Sequence, residues 1–131
     1  MFLGSALTIR VNSTNVAADN RPYYNTASSY SVGDVVQTLV AVPYHISTRA
    51  PLSNFEHLYE SLADNNAGNP VTDPTKWLHL GPVNRYKMFD GTIGQRTLEN
   101  QFIQVDLSVD PTVRSIYALG LTGTTQVTVS A

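Results

Sequence analysis

A mostly β fold is what this sequence predicts, on three observations. Short runs rich in Val, Ile, Thr and Tyr recur along the 131 residues, the composition that fits a pleated and half-buried surface. Clusters of Gly, Pro, Asn and Asp separate these runs at intervals typical of sandwiches and barrels. No heptad, internal repeat or low-complexity tract competes with that pattern.

The elements follow in order. Ala6 to Val11 alternates as an opening strand, and the polar stretch from Asn12 to Asn20 reads as a loop. Tyr30-Ser31-Val32-Gly33-Asp34 is a turn that leads into a β-branched strand from Val35 to Val42, ended by Pro43. Residues 54 to 63 fit two readings. Phe55, Leu58, Tyr59 and Leu62 fall at helical spacing, whereas Leu58-Tyr59-Glu60-Ser61-Leu62 fits a strand. Asp64 to Pro70 is a loop of residues that tolerate a left-handed backbone, and Asp73-Pro74 starts a capped turn. Trp77 to Leu80 is a short strand stopped by Gly81-Pro82, and Asn84 to Thr92 is a loop rich in side-chain acceptors. Three further strands are expected at Phe102 to Leu107, Ser115 to Leu121 and Gln126 to Ser130.

Composition narrows the function classes. Charged residues make up 14% of the chain and the formal net charge is −2, against about a quarter charged in an average domain. The basic residues are scattered singly from Arg10 to Arg114, which argues against nucleic acid, because phosphate recognition needs a stripe of cations. With no cysteine, neither a disulfide framework nor a thiolate metal site is available. Met1 to Leu7 lacks the positive segment and full apolar stretch of a secretory signal. No apolar run approaches the ~20 residues of a membrane-crossing helix. The expectation is a soluble protein without a secretory signal.

Reactive chemistry has little to stand on. His45, His57 and His79 lack the spacing that puts two imidazoles on one ion. The loop from Asp64 to Asp73 has oxygen ligands without the calcium-loop register. No nucleophile elbow or phosphate loop occurs. The carboxylate pairs Glu56/Glu60 and Asp106/Asp110 would serve glycoside hydrolysis only if the fold made them converge. No enzymatic role and no cofactor or metal is expected. Asn12-Ser13-Thr14 matches a glycosylation sequon, of a kind common by chance.

Tyr30-x-x-Gly33-Asp34-x-Val36, followed by Leu58-Tyr59-Glu60-Ser61-Leu62-x-x-Asn65, Asn69-Pro70 and Asp73-Pro74-x-x-Trp77, resembles the small chitin- and cellulose-type carbohydrate-binding modules of families 5 and 12. The resemblance spans roughly residues 28 to 81. It implies a compact three-stranded sheet, and it favours the strand reading at Tyr59. It also implies glycan-binding positions at Tyr30, Tyr59, Trp77, Asn65 and Asn69. Tyr59 and Trp77 fit a second role equally, as core residues of a domain too small to hold together without them.

The continuation, Asn84-Arg85-x-x-Met88-Phe89-Asp90 and Ser115-Ile116-Tyr117-Ala118-Leu119-Gly120-Leu121, is similar to bacteriophage tail and baseplate proteins in which such a module leads into a β-sandwich. The organisation this implies is an N-terminal strand and loop over 1–27, the module over 28–82, and part of a sandwich over 83–131. Missing residues or a partner chain would complete the sandwich. Gln126, Val127, Thr128, Val129 and Ser130 would then form an assembly edge that pairs with another chain. Two functions are carried forward. One is a structural component of a phage tail, docking with other virion proteins and with copies of itself. The other is a glycan-binding module for host-surface polysaccharide or for a secreted polysaccharide-degrading enzyme.

Overall fold

The computed structural model describes residues 8–41, 54–89 and 96–110, together with Gly123, Gln126 and Thr128. The fold is mostly β. Its strands are β1 (Thr8–Thr14), β2 (Ser29–Tyr30), β3 (Val35–Ala41), β4 (Asn54–Ser61), β5 (Asn66–Ala67), β6 (Trp77–Pro82) and β7 (Val105–Asp110). They form a three-stranded antiparallel sheet in the order β3-β4-β6 and two antiparallel pairs, β2-β5 and β1-β7. The expected strand over 115–121 and His45 lie outside the described residues. Of the proposed edge at 126–130, only Gln126 and Thr128 lie within them, and both are exposed.

The strand reading of residues 54–61 holds because β4 is the central strand. It pairs with β3 from Val35↔Glu60 to Ala41↔Asn54, and with β6 from His57↔Pro82 to Ser61↔Trp77. A helix there would have left the β-branched run of β3 without a partner for its backbone groups. Side chains of a strand alternate between two faces, so Val36, Tyr59 and Trp77 gather on one side. With Tyr30 they form the buried core of the module, against which Tyr24, Val40 and Val71 pack.

Gly33 explains the turn before β3. The Asp34 amide donates to the Ser31 carbonyl at 3.1 Å, and Gly33 has φ +88°, the conformation a type II turn demands at its third position. The Asp34 carboxylate closes the turn by accepting from the Ser31 amide at 2.8 Å. An added Cβ at Gly33 would meet nothing within 4 Å, so replacement costs backbone strain alone. Gly33→Ala should lower stability by about 1 kcal/mol, measured by urea denaturation. An unchanged midpoint would contradict the left-handed turn.

Three boundaries depart from the sequence reading. Gly81-Pro82 does not stop β6. Leu58 pairs with Gly81 and Tyr59 with His79, so Leu80 is an extra residue in a bulge, with Gly81 at φ +97°. Residues 84–89, expected as a loop, form a 3-10 helix. The last described strand starts at Val105, not Phe102, because the side chain of Asn15 ties down the segment before it. That amide donates to the Phe102 carbonyl at 2.8 Å and accepts from the Gln104 amide at 2.6 Å. The first strand also does not stand apart. β1 pairs with β7 from Thr8↔Asp110 to Thr14↔Val105.

Candidate functional site

The residues singled out for glycan binding come together, but their rings face inward. Trp77 is 2% exposed, and Tyr30 and Tyr59 are each 9% exposed. Trp77 presents its face or edge to Tyr30 at 5.2 Å and to Tyr24 at 5.6 Å, in near-perpendicular pairs, the arrangement aromatic quadrupoles favour. Burial raises the Tyr59 phenol above its ordinary pKa. A sugar ring needs an exposed aromatic face, and these three are spent on the core. Tyr59 and Trp77 thus take the core role that was the second of their two expected roles, and Tyr30 packs with them.

The asparagines serve the same core. Asn65 is exposed and adopts φ +53°, a left-handed turn position that asparagine tolerates. The Asn69 carbonyl accepts from the Trp77 indole at 3.1 Å and from the Tyr24 hydroxyl at 2.7 Å. Asn66, which the sequence reading passed over, is 2% exposed. Its amide donates to the Ser61 hydroxyl and to the Lys76 carbonyl, and its oxygen accepts from Asn69. Nothing in the run Asp64-Asn65-Asn66-Ala67-Gly68-Asn69 distinguishes the buried asparagine from its neighbours. The loop's return to β6 is fixed by Asp73. Its carboxylate accepts from the Thr75 hydroxyl and amide, and these bonds hold it below the usual carboxylate range.

A second cluster lies where β4 meets the 3-10 helix. Arg85 donates to Glu56 Oε1 at 2.7 Å, and the Tyr23 hydroxyl donates to the same oxygen at 3.2 Å. The Arg85 guanidinium sits 4.7 Å above the Tyr86 ring, which stacks on Phe55 at 4.4 Å. Burial, then the charge of Glu56, pushes the Tyr86 phenol up. Asn84 anchors the far side of this helix. Its side chain donates to the Leu98 carbonyl and accepts from the Leu98 amide, at 2.8 and 2.9 Å. Thr97 adds a bond from its hydroxyl to the Asn84 carbonyl. Asn84 and Arg85, the start of the tail-protein-like motif, thus act as fasteners.

The register also makes neighbours of two histidines 22 residues apart. His57 Nδ1 and His79 Nε2 approach to 2.7 Å. The strand pairing that brings them together is not visible in their sequence spacing.

Glu56 and Glu60 lie four residues apart on β4, about 13 Å along a strand, which is beyond the reach of a glycosidase pair. The backbone positions of Asp106 and Asp110 stand equally far apart on β7. Among the described residues, no three His, Asp or Glu side chains gather into a metal site.

Alternation places Leu39, Glu56, Leu58, Glu60 and Leu78 on the face of the three-stranded sheet opposite Tyr59 and Trp77, where Glu56 and Leu58 are buried. Leu39, Leu78 and Leu80 are 56%, 47% and 40% exposed, and Tyr23, bonded to Glu56, is 56% exposed.

Comparison of the chain with protein-family models, with curated proteins and with solved structures finds no match.

Proposed function

We propose that this chain is a structural component of a bacteriophage tail or baseplate and acts through protein–protein docking. The observation that carries the reading is the division of side chains across the β3-β4-β6 sheet. The aromatic rings that a sugar-binding module would display are buried in the core, while Leu39 and Leu78 on the opposite face, which also holds the buried Glu56 and Leu58, are exposed, as are Tyr23 and Leu80. Such a surface suits a protein partner, for which tyrosine and apolar anchors supply the binding energy. The sequence likeness to tail proteins across Asn84 to Phe89 supports the same reading, and the low charge suits a crowded assembly.

The test is location. Antibodies raised against the recombinant chain should label the tails or baseplates of purified phage particles released by the host that carries the gene. Particles that lack the chain, from lysates that contain it, would defeat the proposal. The glycan-binding alternative is separated by a second measurement on the same protein. We expect no retention on chitin, on cellulose or on host surface polysaccharide, and specific retention on any of them would favour the alternative.

A further inference from the structure

We propose that His57 and His79 form a proton-sharing pair that makes the attachment of edge strand β6 sensitive to acid. The geometry of the two rings carries the argument. Their nitrogens are 2.7 Å apart, their planes differ by 9° and their centres are 5.0 Å apart. Parallel rings lying one over the other would have centres much closer together at that N···N distance. A separation this large is the N···N distance plus one ring radius on each side, so the rings are nearly coplanar and meet nitrogen to nitrogen.

This arrangement has room for one proton. A neutral imidazole has one N–H and one lone pair, whereas an imidazolium has two N–H groups. With a single proton between them, one ring donates and the other accepts. A positive charge on the donor strengthens the bond. A second proton would set two N–H groups head to head at 2.7 Å, and the bond would have to break. The same geometry argues against a metal bridge, because there is no space for an ion between the two nitrogens.

The surroundings decide which ring moves. His57 is 7% exposed on the central strand, and His79 is exposed on β6 beside the bulge at Leu80. Thr38 opposes His57 from β3 and has no titratable group. The Tyr59 ring lies 4.8 Å from His79, and burial keeps its phenol protonated throughout the histidine range. Glu56, bonded to Arg85, and Glu60 alternate onto the opposite face of β4. His79, exposed where His57 is buried, is the ring nearer to solvent, and it stands on the bulged part of β6.

The linkage follows from the second proton. It binds the folded pair less well than it binds an isolated histidine, because it sets two N–H groups head to head. The stability it opposes is present above about 6.5 and is lost as pH falls toward the depressed folded value.

Imidazole-detected nitrogen NMR on the full chain tests this. At neutral pH we expect a scalar coupling between His57 Nδ1 and His79 Nε2. We also expect the pair to titrate in two steps, the second below the ordinary histidine value. Through the lower step the β6 amides, corrected for intrinsic exchange, should open up to about tenfold more per pH unit. His79→Gln, an exposed substitution that spares the core, should reduce His57 to a single step and remove the acid-dependent opening. Absence of the coupling would overturn the proposal, as would two independent steps at the ordinary value or the same opening in the variant.

Discussion

Replacing Trp77 by alanine should remove about 3–5 kcal/mol of stability, enough to unfold much of a chain whose total is on the order of 5–15 kcal/mol. The indole is 2% exposed and meets both Tyr24 and Tyr30, so truncation opens a cavity that three rigid strands cannot collapse to fill. It also deletes the N–H that the Asn69 carbonyl accepts. Trp77→Phe should cost much less. It keeps most of the ring volume, and the Asn69 carbonyl retains its bond from the Tyr24 hydroxyl. Urea denaturation followed by far-ultraviolet circular dichroism separates the two variants. A Trp77→Ala midpoint close to the parent's would show that the ring is not the core residue its burial makes it.

The second large effect is expected at Arg85. Its side chain is 22% exposed and that of Glu56 10%, so Arg85→Ala strands a carboxylate in a place that water reaches poorly. Breaking a buried pair from one side costs about 3–5 kcal/mol, and the partial exposure of Arg85 places this case near the lower end. Part of the loss comes from the charge left behind, so adding Glu56→Gln to Arg85→Ala should recover stability. No rescue by Glu56→Gln would mean that Arg85 acts only through its packing on Tyr86.

The contrast between these clusters shows which parts of the fold were legible. The turn at Gly33 and Asp34 is local. A single glycine supplies the left-handed backbone, and the carboxylate next to it closes on an amide three residues back, so residue types in order reveal it. The β-branched run of β3 and the capped turn at Asp73 are readable for the same reason. At residues 54–61, periodicity fitted a helix as well as a strand, and pairing on both sides decided between them. Pairs made across the sheet were not readable. Glu56 and Arg85 are 29 residues apart, and His57 and His79 are 22 apart. They become neighbours only through register, which a bulge at Leu80 shifts by one residue. The aromatic positions were found, and burial was one of two readings left open at Tyr59 and Trp77, whereas the burial of Tyr30 was not foreseen. A motif fixes where Tyr30, Tyr59 and Trp77 stand along the chain, and neighbours such as Tyr24 and Val71 decide which way they are covered.

The chain contains one tryptophan, and it lies at the centre of the module, far along the sequence from the β1-β7 pair. Its fluorescence is thus a gauge of that one region. Emission that shifts to longer wavelength before the circular dichroism of the strands is lost would show that the module loosens first. Coincident changes would show that the β3-β4-β6 sheet and the β1-β7 pair give way in a single step.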